Sequence, residues 1–257
     1  MRRLAIASLL AVLLTGVVTA QGEEYRKGNL RVSFDGDLRP RALPRERPAP
    51  VTVRLDGSVG TFDGSRPPQL RSLSVAMNRA GRIFVAGLPT CRAAELQQTS
   101  SDAALATCRA ALVGRGRFGV EVDFSDTSLI PAQGKVLVFN TRLRGKPGLL
   151  LHLYGSSPVR AAFVLPFRIS RRENGEFGTV FSTRIPQFAS DLGYVTDIEL
   201  TIGRTYRYGG KQRSFLSASC AAPTGFPGAI YDLAKTTFVF AGGIHLVSRL
   251  TRDCTVR

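Results

Sequence analysis

Two histidines and 19 acidic residues are all that this chain of 257 residues offers for proton transfer. A hydrolase needs a nucleophile, a base and an orienting acid. His152 lies in Leu149-Leu150-Leu151-His152-Leu153-Tyr154 and His245 in Ile244-His245-Leu246-Val247, each inside a strand-like run with no partner motif beside it. Serine is abundant, but Gly155-Ser156-Ser157 follows a strand and is not the strand-to-helix elbow of a nucleophilic serine. Glycosidase chemistry needs two carboxylates several ångströms apart. Glu121 with Asp123, or Asp197 with Glu199, are i, i+2 pairs that share a strand face, a common pattern among so many acids. Asp35-Gly36-Asp37 reads as a turn, because a calcium loop needs further acids at fixed spacing. No Gly-rich phosphate loop occurs. These residues predict no catalytic centre, no metal and no cofactor.

The residues expected to touch a ligand are aromatic and basic instead. Tyr206 and Tyr208 share one strand face beside Arg204 and Arg207, and His152 is a further candidate. Aromatics interleaved with arginine make a stacking surface with charge around it. Tryptophan, the favoured platform for sugars, is absent.

Four cysteines and an N-terminal leader pattern place the chain outside the cytoplasm. Met1-Arg2-Arg3, an apolar run from Leu4 to Val18 and the small residues of Val18-Thr19-Ala20 have the form of a signal peptide over residues 1–20. The run is shorter than the roughly 20 residues a spanning helix requires. In an exported chain, Cys91, Cys108, Cys220 and Cys254 point to two disulfides, for which three connectivities exist. The sequence-local pairing, Cys91–Cys108 with Cys220–Cys254, closes one structural unit per bridge. Zinc is the rival, and neither Cys-x2-Cys spacing nor more than two histidines supports it.

The net charge of +16, falling to +14 when Arg2 and Arg3 leave with the leader, attracts polyanions. Of the 35 basic residues 30 are arginine, and with the plentiful Ala and Gly this is also what a GC-rich genome imposes. The expected partners are an anionic polymer or an anionic membrane surface, with no specific nucleic acid and no transmembrane segment in the mature chain.

Short alternating segments joined by turn residues predict the scaffold. Leu30 to Phe34 and Val51 to Val59 alternate, separated by a proline- and arginine-rich connector with Pro40, Pro44, Pro48 and Pro50. Hairpins follow: Leu70–Met77 with Arg82–Leu88, Lys135–Leu143 with Leu149–Tyr154, Val159–Ile169 with Gly178–Ile185, Thr205–Tyr208 with Gln212–Ser217, and Thr237–Ala241 with Ile244–Leu250. The one departure is a helical insertion at about 92–112, with Thr99 as its N-cap and Asp102 three residues on. The expected fold is all-β, an antiparallel β-sandwich with this insertion. Residues 21–50 form an extended N-terminal segment and 51–257 a single domain.

Gly87-Leu88-Pro89-Thr90-Cys91, Ala103 to Cys108, and Ala221-Ala222-Pro223-Thr224-Gly225-Phe226-Pro227-Gly228 after Cys220 resemble segments of a family of secreted, cysteine-paired β-rich proteins from GC-rich bacteria. That resemblance, from about Pro50 to Arg257, implies export and a β fold but no activity. The functional expectation is a non-enzymatic envelope or extracellular protein that binds or organises through a basic surface. The alternative is a secreted hydrolase acting on an envelope or extracellular polymer.

Overall fold

A computed structural model describes residues 23–122, 129–157, 160–186 and 193–257. The leader pattern of residues 1–20 and Asp123 lie outside the described residues. The first strands are β1 (Glu23–Lys27), β2 (Leu30–Arg39), β3 (Ala42–Leu43), β4 (Ala49–Pro50), β5 (Thr52–Thr61), β6 (Leu70–Asn78) and β7 (Gly81–Ile83). After α1 (Ser101–Cys108) come β8 (Leu112–Val122), β9 (Ile130–Leu143), β10 (Lys146–Gly155), β11 (Ala161–Arg171) and β12 (Phe177–Arg184). The chain ends with β13 (Gly193–Ile202), β14 (Thr205–Tyr208), β15 (Lys211–Ser214), β16 (Leu216–Ala218), β17 (Gly228–Phe240) and β18 (His245–Val256).

Thirteen of these strands form one sheet in the order β1-β2-β5-β13-β8-β9-β10-β11-β12-β6-β17-β18-β3. Every pairing in it is antiparallel except the short β18–β3 contact. The sheet curls until β18 meets β1 and β2, so the two packed layers of the expected sandwich are opposite walls of one continuous sheet. The all-β class, the helical insertion and both disulfides are present as expected.

At the meeting edges, side chains replace a backbone ladder. The Arg249 amide donates to the Tyr25 hydroxyl at 2.8 Å, and Arg252 Nε donates to the Gly36 carbonyl at 2.7 Å. Arg252 also pairs with Asp35. A Cβ on Gly36 would lie 2.8 Å from the Arg54 carbonyl and 3.0 Å from Leu250, so glycine lets the edges close. Asp35-Gly36-Asp37 therefore sits inside β2 and not in the expected turn. Its carboxylates serve Arg252 and Arg41.

Strand alternation sends Leu30, Val32, Phe34 and Leu38 of β2, and Leu149, Leu151 and Leu153 of β10, into the enclosed core. The Leu149–Leu153 run does not alternate in polarity because β10 is buried on both faces. Its outer residue Leu150, with Leu137 and Phe139 of β9, is covered by Cys91, Leu96, Ala104 and Cys108 of the helical insertion. The helix starts one residue later than expected: Ser100 is the N-cap, its Oγ accepting from the Ala103 amide at 3.2 Å. Thr99 turns towards His152 instead.

The expected hairpin of Leu70–Met77 with Arg82–Leu88 does not form. Strand β6 pairs with β12 and β17, and the chain then leaves the wall so that β7 joins β4 and β16 in a separate three-stranded sheet. That small sheet, with Phe215 and Leu216 fully or nearly buried, closes one end of the curl. Cys220, just after β16, is bonded to Cys254 of β18 and ties this closure to the wall. Cys91–Cys108 ties α1 to the segment that precedes it, with Cα atoms 5.6 Å apart.

The Cys91–Cys108 bridge closes a separation of 17 residues, so replacing both with serine should lower stability by about 3 kcal/mol. Urea unfolding of the double variant against the parent measures it. A loss below about 1 kcal/mol would show that packing alone holds the insertion.

Candidate functional site

The interior of the curl is not filled. A cavity of about 330 Å³ lies between the walls. Val53 and Leu55 of β5, Val75 of β6, Leu165 of β11 and Ile198 of β13 point into it. Facing inward, they are nevertheless only partly buried, because there is no side chain opposite to cover them. Phe215 and Leu216 form its floor at the closed end. Asp56, Ser58 and Asp197 border it higher up only along the backbone, because their side chains share the outer face with Arg54, Ser33 and Glu199. The register places Ile202 beside Val53 near the floor and Asp197 beside Ser58 higher up, which fixes this direction. The lining is aliphatic and aromatic almost throughout.

Strand number accounts for the void. About eight strands give a barrel just wide enough for its own side chains to fill, and wider barrels enclose space. Between β1 and β18 this sheet has twelve strands in sequence around the curl. From Val53 to Val59 the wall rises by about 20 Å along the strand, and by roughly 15 Å along the axis if the strands tilt as barrel strands do.

Among the described residues the candidate histidines and carboxylates do not converge. His152 is wholly buried on the outer face of β10, beneath the insertion, and does not reach the cavity. Its Nε2–H donates to the Thr99 carbonyl at 3.0 Å, leaving Nδ1 without a hydrogen-bond partner. Burial lowers its pKa, the hydrogen bond to Thr99 opposing this in part. His245 is exposed on β18, and β11, β12, β6 and β17 stand between it and β10. Glu199 points outward and pairs with Arg117 at 2.5 Å and Arg54 at 3.6 Å, which holds its carboxyl below the usual range. Such a group stays ionised and is no general acid. Asp197 is exposed and accepts from the Thr196 hydroxyl at 2.8 Å. Glu121 accepts from Tyr194, whose pKa is pushed up to about 12 by burial and then by that carboxylate. Glu95 lies near the Cys91–Cys108 sulfurs, but a cystine has no thiolate to give a metal.

The aromatic and basic candidates lie together, on the β14–β15 hairpin at the closed end. Tyr206 turns inward, its hydroxyl 3.0 Å from both the Phe84 and Ala86 carbonyls. Arg204 donates to the Ala110 and Leu112 carbonyls at 2.6 and 2.8 Å. Both residues therefore fasten the hairpin to the body. Tyr208 and Arg207 remain exposed. Of the residues expected to touch a ligand, these two are presented to solvent, while His152 is sealed away.

Sequence reasoning missed the cavity lining. Its inward aliphatics look like those of any packed β core, and whether they meet depends on how many strands share one sheet. Comparison with known protein families, curated proteins and solved structures finds no match for this chain.

The buried His152 sets a pH dependence. Its folded pKa is depressed, so the unfolded chain binds the proton more readily and stability rises with pH across that window. Acidification from neutrality through about 6.5 should therefore weaken the fold, by at most about 1.4 kcal/mol per pH unit, down to the folded pKa. Denaturant midpoints of the parent and His152→Gln from pH 7 to 5 test this. An equal slope in both would assign the acid sensitivity elsewhere.

Proposed function

We propose that this is a non-enzymatic, extracytoplasmic binding protein that holds an elongated apolar molecule, of the acyl-chain or isoprenoid class, inside its curled sheet. The observation that carries the reading is the unfilled apolar interior. Protein cores pack as densely as organic crystals and leave few voids larger than a water molecule. A cavity of about 330 Å³ lined by leucine, valine, isoleucine and phenylalanine falls within the size range of small-molecule sites. An apolar chain laid along it gains the burial that the walls do not give each other, at roughly 25 cal/mol per Å² of apolar surface. The floor made by Phe215 and Leu216 suits the end of such an apolar chain.

Export fits the two disulfides, which persist in oxidising compartments, and the leader pattern at residues 1–20. Among the described residues no helix is long and apolar enough to cross a membrane. The wall itself is apolar inside and carries its ion pairs outside, as between Arg117 and Glu199, the reverse of a barrel that spans a bilayer.

The test fills the cavity. Titration of the purified protein with a fluorescent long-chain fatty acid should saturate at one site, and extraction of protein from its native host should release an apolar molecule. Val75→Phe together with Ile198→Phe should weaken the titration about tenfold or more while keeping or raising the melting temperature, since the new rings occupy empty space. Undiminished binding in that variant, or no binding by the parent to any chain length, would overturn the proposal.

A further inference from the structure

We infer that the closed end carries a second site, separate from the interior, that docks an acidic glycan on the face formed by the β14–β15 hairpin and the segment beneath it. The hairpin and its flanks, residues 203–215, contain Arg204, Arg207, Lys211 and Arg213 and no acidic residue. Arg207, Lys211 and Arg213 are exposed, and none of the three forms an ion pair with a described carboxylate. On the neighbouring segment Arg82 is likewise exposed and without such a pair. Some surface cations are matched, as where Arg54 and Arg117 share Glu199 and Arg249 takes Asp232 and Glu176. Others, such as Arg168 and Arg171 of β11, are exposed without such a pair, and the hairpin differs from them in holding an exposed aromatic ring among its cations. Arg207, Lys211 and Arg213 thus place uncompensated positive charge on one short hairpin.

An aromatic platform sits within that charge. The Tyr208 ring rests on Gly87, where a Cβ would lie 1.9 Å from the ring, so only glycine admits it. Gly87 has φ +74°, a conformation that glycine adopts without strain. The ring remains 46% exposed, with Phe84 tilted beside it at 6.3 Å between centroids. The Arg213 guanidinium lies over the Phe84 ring at 5.1 Å. The support is rigid, because Tyr206 and Arg204 fasten the hairpin through four hydrogen bonds to backbone carbonyls. A preset ring face flanked by unpaired cations suits a sugar ring stacked on Tyr208, with its chain's carboxylates reaching Lys211 and Arg213, which share its face of the hairpin. Nucleic acid has the same elements, but a single-strand site stacks successive bases on several rings. Two disulfides also belong to oxidising compartments outside the cytoplasm.

The probe is polygalacturonate, titrated against the purified full protein by calorimetry, with neutral dextran and single-stranded poly(dT) alongside. Polygalacturonate should bind and weaken steeply between about 50 and 200 mM salt, and dextran should not bind. Tyr208→Ala should cost roughly fivefold or more in affinity with the salt slope kept, and Tyr208→Phe should restore it. Lys211→Glu with Arg213→Glu should remove binding, with thermal unfolding showing each variant folded. The proposal is overturned by a parent that ignores polygalacturonate at low salt, by Tyr208→Ala binding as the parent does, or by poly(dT) binding more tightly than polygalacturonate. Fatty-acid titration of the same variants should stay unchanged, so failure here leaves the interior reading to stand or fall by itself.

Discussion

A sheet can only be filled by its own side chains while its circumference is small. Each strand adds nearly 5 Å to the circumference, whereas a side chain reaches inward by a fixed length. Past about eight strands the two scales part, and space remains at the axis. The order from β1 to β18 takes this chain well past that number, and most of what distinguishes the molecule follows. The walls stand apart around the cavity, the inward aliphatics of β5, β6 and β13 stay partly uncovered, and one end needs a separate closure. The small sheet of β4, β16 and β7 supplies that closure.

The same geometry explains the placing of the disulfides. A wide wall has little core behind it, so loose attachments need another restraint. Cys220–Cys254 joins the closure to β18. Cys91–Cys108 holds the insertion together where it covers the outer faces of β9 and β10. Those two strands are the best-buried part of the wall, apolar on both sides. The interior and the insertion thus share one rigid element without sharing residues, and His152 belongs to the insertion's side of it.

Much of this was legible in the residues. Period-two alternation and turn pairs gave four of the five expected hairpins, and spacing favoured the cysteine pairing that is found. The hairpin after β6 was misread because Asn78 to Gly81 has the composition of a tight turn. The choice between turning back and crossing to the closure is made by partners more than a hundred residues away, on β16. Asp35-Gly36-Asp37 was misread for a similar reason: turn residues inside a strand mark an edge that closes on Leu250 and Arg252. The cavity left no local trace at all. Tyr208 and Arg207 were visible as a pattern, but Gly87, which seats the ring, lies far from them in sequence.

The join between β18 and the β1–β2 edge has a mechanical consequence. In a barrel closed by a full hydrogen-bond ladder, the stagger between first and last strand can change only in whole registers. Along β1 and β2 the join is made by the Tyr25 hydroxyl and the guanidinium of Arg252, side chains that swivel about their own torsions. The β18–β3 pairing, with the Thr255 amide on the Arg41 carbonyl and the Arg257 amide on the Leu43 carbonyl, pins the seam just past β2, so slippage is confined to the β1 end. The seam is a split ring held by one clasp, fixed beside β3 and free to give beside β1.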